Sequence, residues 1–223
     1  MKILVIAEHD NTSLKGSTNS TIAAAKEISS DISVLVAGHS CSSVSDEAAS
    51  LDGVTSIMLA DSSTYENFLA EDIANLIVSI SDDFEYILAP ATTFGKNFLP
   101  RVAAILDSQQ ISEITEVVSA DTFKRPIYAG SCIATVKTLE PKKIISVRST
   151  AFDGVTKGES QASVTDVSPT DSLNVSSFVK EDLAVSDRPE LTAADIVVSG
   201  GRGMQSGDNF HLLDSIADKL GAA

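Results

Sequence analysis

The feature that most constrains this chain is the alternation of short apolar runs with longer amphipathic segments over its first half. The apolar runs, rich in Val, Ile and Leu, are residues 3–7, 32–37, 54–60 and 86–90. Continuous apolar runs of this length are typical of strands buried on both faces of a parallel sheet. Segments with helical periodicity follow at 18–29, 43–51, 66–81 and 95–107. This alternation predicts an α/β fold with a doubly wound, mostly parallel sheet.

The predicted helix over 66–81 carries the clearest apolar stripe. Its apolar residues recur at helical spacing, and they are Phe68, Ile73, Leu76, Ile77 and Ile80. We expect this stripe to lie on one face of the helix and to pack against the sheet.

The pattern changes after residue 110, where strand-like runs follow one another with short breaks. These runs are 114–119, 125–129, 132–139 and 143–149, and a further candidate strand is 162–167. No helical period separates the first four runs, so we predict that they extend the sheet and include antiparallel strands. The rest of residues 150–190 is rich in Ser, Thr, Asp and Gly, a composition typical of a connection between domains.

The charge balance limits the classes of partner. A net charge of −15, with a pI near 4.4, repels polyanions, so nucleic acid is not an expected partner. Cys41 and Cys132 lie far apart and indicate reduced thiols, while His9, His39 and His211 show no metal-ligand spacing. The N-terminal apolar run is too short for a signal peptide, and no run reaches the roughly 18 residues of a membrane span. We therefore expect a cytoplasmic protein that does not insert into a membrane.

The last 30 or so residues predict a strand, a loop and a helix. The strand is 194–198, the glycine-rich loop is 199–207 and the helix is 209–220. Asp208 is the expected N-cap, and Gly221 stands where a left-handed residue ends many helices. One face of the helix is apolar and needs cover, and it consists of Phe210, Leu213, Ile216, Ala217 and Leu220. These features indicate the first βα unit of a second α/β domain.

The loop "SGGRG" has the residue types of a phosphate site. Glycines let backbone N–H groups approach a phosphate, and the N-terminus of the next helix favours negative charge. Arg202, between Gly201 and Gly203, has a guanidinium that suits a diphosphate. The spacing of Gly201, Gly203 and Gly207 is one residue longer than the usual dinucleotide fingerprint. The residues alone therefore leave two alternatives open: a nucleotide site, or a plain turn with a solvated Arg202.

Two weaker candidate sites follow predicted strands in the first half. Thr93, Gly95 and Lys96 lie where a strand gives way to a helix, a position for anion binding, but they lack the spacing of a P-loop. Glu8 and Asp10 follow the first strand and are site carboxylates or a solvated loop. Ser199 lacks the surroundings of a hydrolase nucleophile.

Several blocks of the sequence resemble the α subunits of the electron transfer flavoprotein family. They include "LVIAEHDNTSL", "FGKNFLPRVAAILD", "IYAGSCIATVKT", "SVRSTAFD" and "SDRPELTAADIVVSGGRGMQSGDNFHLLDSIADKLGAA", and the resemblance runs from residue 3 to residue 223. It implies an N-terminal α/β domain with its linker over 1–189, and the start of an FAD-binding domain over 190–223. It also implies that Arg202 contacts FAD and that Gly201 and Gly203 shape its loop. The family has further flavin-contacting segments, so we expect a chain cut after the first βα unit of its FAD domain, with little stable FAD of its own.

Two hypotheses of function follow. By the resemblance, the chain is a subunit of a heterodimeric FAD protein, an electron carrier rather than an enzyme. Its implied partners are a β subunit, acyl-CoA and related dehydrogenases, and a membrane quinone oxidoreductase, and its location is the cytoplasm, or the mitochondrial matrix in a eukaryote. The alternative is a stand-alone nucleotide-binding or sensor protein of doubly wound fold, with its ligand in the switch-point crevice near 7–12 or 90–96.

Overall fold

The computed structural model describes residues 1–159, 161–182, 188–189, 191, 194 and 196–223. The described residues divide into two compact units, Met1–Phe178 and Val179–Ala223. The strands are β1 (Lys2–Ile6), β2 (Asp31–Gly38), β3 (Ser56–Asp61), β4 (Tyr86–Pro90), β5 (Gln110–Ile114), β6 (Glu116–Ser119), β7 (Thr122–Ile127), β8 (Cys132–Lys137), β9 (Lys143–Val147) and β10 (Ser163–Asp166). The helices are α1 (Gly16–Lys26), α2 (Ser42–Ala49), α3 (Ala70–Ile80), α4 (Thr93–Ile105) and α5 (His211–Leu220).

The core of the first unit is a seven-stranded sheet with the strand order β10-β3-β2-β1-β4-β9-β5. Every neighbouring pair in this sheet is parallel. The order reverses at β1, since the chain goes outward from β1 to β2 and β3 and then returns to β4 on the other side. The predicted doubly wound α/β fold is therefore confirmed.

Two apolar layers cover the two faces of this sheet. Side chains alternate along a strand, so Ile3 and Val5 enter one layer while Leu4 and Ile6 enter the other. The first layer is completed by α1 and α2, and the second by α3 and α4. Burial on both faces explains why β1, β2 and β4 appear in the sequence as largely apolar runs, which only Ser33 interrupts in β2.

The strands after residue 110 are arranged differently from the prediction. The antiparallel strands β6, β7 and β8 do not extend the main sheet; they form a separate three-stranded sheet. The chain then returns, and β9 is inserted between β4 and β5, parallel to both. The predicted run 114–119 is also divided, because β5 ends at Ile114 in the main sheet and β6 begins at Glu116 in the small one.

The third helix begins later than its apolar stripe indicates. It starts at Ala70, and Phe68 precedes it with a left-handed φ of 51°. Phe68 does not face the sheet; its ring lies edge-on against the ring of His9 and against the ring of Phe94. The assignment of Phe68 to the helical stripe was wrong, because Phe68 lies before the helix in a left-handed conformation.

The predicted strand at 162–167 is present as β10, which pairs in parallel with β3 at the edge of the sheet. The segment after it is attached to α3 by a buried carboxylate. Asp72 accepts hydrogen bonds from the backbone N–H of Leu173 (2.9 Å) and from the hydroxyl of Ser172 (3.1 Å). The Ser176 hydroxyl also donates to Glu71 of α3 (2.9 Å), so residues predicted to be a connection are held in the first unit as far as Ser176. Within the described part of the chain, no helix is long and apolar enough to cross a membrane.

Candidate functional site

The switch point of the sheet lies between β1 and β4, where α1 and α4 both begin. Glu8 follows β1, and its Oε2 accepts one hydrogen bond from Ser17 Oγ of α1 (2.6 Å) and another from Thr92 Oγ1 at the start of α4 (2.9 Å). Its backbone N–H donates to Thr18 Oγ1 (2.9 Å). In related doubly wound folds this is the place for a bound phosphate. Here the carboxylate of Glu8 accepts the hydrogen bonds of both hydroxyl groups.

The loop after β1 is ordered by its own polar groups. Asp10 Oδ1 accepts from the backbone N–H groups of Thr12 (3.0 Å) and Ser13 (2.8 Å) and from the Thr12 hydroxyl. These hydrogen bonds hold the pKa of Asp10 well below its usual value, against the opposing effect of burial. Asp10 also pairs with Lys15. The two carboxylates that follow β1 therefore both have hydrogen-bond partners within the chain.

His9 is buried beneath this loop, with 6% of its surface exposed. Its Nδ1 accepts from the backbone N–H of Asn11 (3.0 Å), so the neutral ring carries its proton on Nε2. Nε2 is buried and has no hydrogen-bond partner among the described residues. Burial lowers the pKa of His9 to about 4. His9 is consequently an uncharged core residue at neutral pH.

The candidate anion position at the start of α4 is also occupied by internal contacts. Lys96 pairs with Glu113 (2.6 Å), which also pairs with Arg148 (2.6 Å). These two cations lower the pKa of Glu113, mainly through their hydrogen bonds to its carboxylate. Gly95 allows α4 to approach the end of β4, because a Cβ at that position would lie 2.0 Å from the carbonyl oxygen of Pro90. Close packing, rather than a ligand, accounts for this glycine.

In the second unit, the glycine-rich loop forms a compact turn. Arg202–Met204 is a 3-10 turn in which Met204 N–H donates to the Gly201 carbonyl (3.0 Å) and Gln205 N–H to the Arg202 carbonyl (3.0 Å). The Met204 carbonyl accepts from Asn209 Nδ2 (2.7 Å) and from Ser206 N–H (2.7 Å), which ties the turn to the residues that lead into α5.

Left-handed backbone does not explain the loop glycines. Gly200, Gly201, Gly203 and Gly207 all lack a positive φ, whereas Gln205 has φ 61°. The four glycines differ in the space that a Cβ would find around them. A Cβ on Gly201, Gly203 or Gly207 would meet no atom within 4 Å, but a Cβ on Gly200 would lie 2.7 Å from Met204 Cγ. Sequence analysis selected the glycines with open space around them and missed Gly200.

Arg202 lies on the open side of this turn and is exposed. It makes no ion pair with any described residue, whereas Arg188 of the same unit binds Asp214 (3.0 Å) and Asp218 (2.8 Å) on α5. The structure therefore brings Arg202 together with the open backbone of Gly201 and Gly203. An anion such as a diphosphate fits a guanidinium beside accessible backbone in this way.

The segment before the loop is not assigned as a strand. Residue 195 of the predicted strand 194–198 lies outside the described residues, and the others have no strand assignment. Its backbone nevertheless makes two hydrogen bonds in a parallel arrangement: Ala223 N–H donates to the Ile196 carbonyl (3.0 Å), and Val198 N–H donates to the Ala223 carbonyl (3.0 Å). The chain therefore passes from an extended segment through α5 to a parallel neighbour, and the loop lies at the carboxyl end of the first segment.

The helix after the loop begins at His211, two residues later than predicted, behind a short 3-10 turn at Gly207–Phe210. Ser206 caps the 3-10 turn, since its Oγ accepts from Asp208 N–H (3.2 Å), and Phe210 precedes α5 without a side-chain cap. The assignment of Asp208 as N-cap was therefore wrong. Gly221 ends α5 in the left-handed conformation, as predicted. On the expected apolar face Ala217 is buried, but about half of the Phe210, Ile216 and Leu220 surfaces are exposed.

These features define a class of protein: a doubly wound α/β domain followed by a glycine-rich loop and a helix. Comparison with known families identifies it further. The model of the electron transfer flavoprotein domain matches residues 3–172, and that of the electron transfer flavoprotein FAD-binding domain matches residues 190–223. The chain belongs to the electron transfer flavoprotein family.

Curated relatives agree with this assignment. Electron transfer flavoprotein subunit alpha of Pseudomonas aeruginosa is 57% identical over 223 residues, covering 100% of this chain and 72% of the relative. The subunit alpha of Bradyrhizobium diazoefficiens is 51% identical, covering 100% and 71%. The mitochondrial subunit alpha of Dictyostelium discoideum is 47% identical over 240 residues, covering 99% and 66%. This chain is thus similar to α subunits along its whole length and spans roughly two thirds to three quarters of theirs.

Proposed function

We propose that this chain contributes the first FAD-binding loop of a heterodimeric electron carrier. The observation that carries the proposal is the turn at 199–207. There, an exposed Arg202 without an ion-pair partner among the described residues lies beside two glycines with open space around them. This turn falls in the segment that matches the FAD-binding domain.

The residues of the turn fit the diphosphate of FAD. Arg202 would donate charge-assisted hydrogen bonds to it, and Gly201 and Gly203 would allow its close approach because they lack side chains. When bound, FAD supplies the redox chemistry, since its flavin accepts and releases electrons. The part played by this chain is to bind and orient the cofactor. That role makes it a carrier subunit and not a catalyst that converts a substrate.

The wider role follows from family membership. The partner that completes the cofactor site would be an electron transfer flavoprotein β subunit. The donors would be acyl-CoA and related dehydrogenases, as in fatty acid β-oxidation, and the acceptor a membrane quinone oxidoreductase. The heterodimer would work in the cytoplasm, or in the mitochondrial matrix of a eukaryote.

We further propose a functional boundary near residue 189. Residues 1–189 would form the N-terminal α/β domain with its linker, and 190–223 the start of the FAD-binding domain. Residues 1–223 alone would hold FAD weakly, because the turn offers a single cation to a cofactor that carries two phosphates.

The alternative, a stand-alone nucleotide-binding protein, would use the switch-point crevice of the first unit. The contacts of Glu8 argue against it, because its carboxylate already accepts from Ser17 and Thr92 and would repel a phosphate. We therefore favour the carrier function.

The test is to produce the complete α subunit together with its β subunit, and to compare it with residues 1–223 alone. We expect a yellow heterodimer with flavin absorbance that is bleached by an acyl-CoA dehydrogenase and its substrate, and a colourless fragment. A flavin-free heterodimer, or tight stoichiometric FAD in residues 1–223 alone, would contradict the proposal. Tight binding of an adenine nucleotide to residues 1–178 would favour the alternative.

A further inference from the structure

Gly200 differs from the other glycines of the loop in what surrounds it. A Cβ at this position would lie 2.7 Å from Met204 Cγ and 3.2 Å from both Leu213 Cδ1 and Phe210 Cζ. Side chains in proteins essentially never approach as closely as the first of these distances. The backbone at Gly200 is therefore packed directly against three side chains, and a larger residue does not fit without a shift.

One of these three side chains comes from the turn itself and the other two come from the start of the helix that follows it. Met204 ends the 3-10 turn that begins at Arg202, while Phe210 and Leu213 belong to the entry and first turn of α5. The contact thus joins the extended segment before the loop to the helix after it. In the usual dinucleotide fingerprint, a glycine late in the motif allows this close packing between strand and helix. Here the position that needs it is the first glycine.

The turn that Gly200 supports holds the candidate ligands. Gly201 and Arg202 lie one and two residues beyond it, and the Gly201 carbonyl accepts from the N–H of Met204, the residue that Gly200 packs against. A shift of the Met204 backbone, away from a Cβ at position 200, would move the Gly201–Met204 hydrogen bond with it. The direction of the Arg202 guanidinium therefore depends on a contact that Arg202 does not itself make.

We infer that Gly200 is a positioning residue for FAD: by leaving room for Met204, Phe210 and Leu213, it fixes the turn that points Arg202 at the diphosphate. This inference rests on the proposed function. It assigns no direct contact with the cofactor to Gly200, and its effect is transmitted through Met204.

The test uses the complete α subunit with its β subunit and three substitutions. Gly200→Ala should weaken FAD retention about tenfold or more, because overpacking displaces the turn. Gly16→Ala in the first unit is the control, since a Cβ there also meets nothing within 4 Å, and it should leave FAD affinity unchanged. The double variant Gly200→Ala/Met204→Ala removes the closest clash and should recover most of the lost affinity, while Met204→Ala alone should have a small effect.

Two readouts distinguish positioning from a general loss of structure. The FAD dissociation constant and the flavin absorbance maximum should both change in Gly200→Ala and return in the double variant, with circular dichroism unchanged throughout. Gly200→Ala with wild-type affinity, or a double variant no better than Gly200→Ala, would overturn the inference even where Arg202→Ala releases FAD. If Arg202→Ala also retains FAD as the wild type does, the proposed site itself is wrong.

Discussion

The Glu8 carboxylate and the Thr92 hydroxyl meet at 2.9 Å across the gap between β1 and β4. The same oxygen of Glu8 accepts from Ser17 at 2.6 Å, so one carboxylate joins the starts of α1 and α4. These helices cover opposite faces of the sheet. Glu8 is therefore a link between the two layers at the point where a doubly wound fold usually binds its ligand.

Replacing Glu8 should destabilise the N-terminal unit. Glu8→Ala leaves the Ser17 and Thr92 hydroxyls without their acceptor, and hydrogen bonds to a charged group contribute about 1.5–3 kcal/mol. We expect a loss of that size in the free energy of unfolding in urea. A cycle with Thr92→Val should reveal a coupling of about 0.5 kcal/mol or more. The exposed Glu66 is the control, since Glu66→Gln should change stability little, and strict additivity in the cycle would contradict the link.

The pKa of His9 predicts how stability depends on pH. Burial lowers it from 6.5 to about 4, so the unfolded chain binds a proton that the folded chain does not bind between these values. Stability is therefore complete above about pH 6.5 and is lost as the pH falls towards 4, by about 3 kcal/mol in total. Urea unfolding at several pH values should show this slope in the wild type and a smaller slope in His9→Gln. A slope in His9→Gln equal to that of the wild type would contradict this prediction.

Gly95 and Gly16 form a matched pair of helix glycines. A Cβ on Gly95 would lie 2.0 Å from the backbone oxygen of Pro90, whereas one on Gly16 meets nothing within 4 Å. Gly95→Ala should therefore cost more than about 2 kcal/mol, because backbone must move. Gly16→Ala should be neutral or slightly stabilising, because alanine favours a helix by up to about 1 kcal/mol. The measurement is the midpoint of thermal unfolding of each variant. Equal midpoints for Gly95→Ala and Gly16→Ala would show that α4 does not pack as described.

Sequence analysis located the elements of the first unit well but not their long-range pairing. The buried strands β1 to β4 are continuous apolar runs, which local pattern identifies reliably. The place of β9 between β4 and β5 has no local signal, because it depends on pairing with strands that lie far away in the sequence. Phe68 was misplaced for a related reason, since it contacts His9, which follows β1 and lies far away in the sequence.

At the candidate site, the sequence identified the loop and Arg202 but not the reason for each glycine. Gly201 and Gly203 match a familiar motif, and their role remains a prediction. Gly200 has no distinguishing mark in the sequence, because its importance depends on the side chains of Met204 and Leu213 in three dimensions. The cap of the 3-10 turn before α5 was also misassigned. Ser206 and Asp208 are both residue types that favour caps, so the sequence does not distinguish between them.

Arg202 should be required for cofactor retention in the complete heterodimer. Removing a charged donor typically costs about 1.5–3 kcal/mol, which corresponds to roughly ten- to a hundredfold in affinity. We expect Arg202→Ala to raise the FAD dissociation constant by this factor. Arg202→Lys should be intermediate, because lysine keeps the charge but loses the planar fork.

The control for this measurement is Arg101, which pairs with Glu71 on the first unit at 3.2 Å. Arg101→Ala should keep wild-type FAD affinity, and circular dichroism should show that all three variants are folded. Wild-type affinity in Arg202→Ala would mean that its guanidinium is only solvated, and the assignment of the cofactor site would fail.

Because β9 is inserted between β4 and β5, these three strands are not synthesised in the order in which they lie in the sheet. On the ribosome, β5 emerges before the strand that joins it to the sheet, and the residues 116–137 of the small sheet emerge in between. Until residue 147 is free, the β4 edge of the nascent chain has an unpaired backbone and β5 has nothing to pair with. An unpaired edge of this kind invites association with other chains. The interval between the emergence of β4 and that of β9 is therefore when a nascent chain most needs the protection of a chaperone.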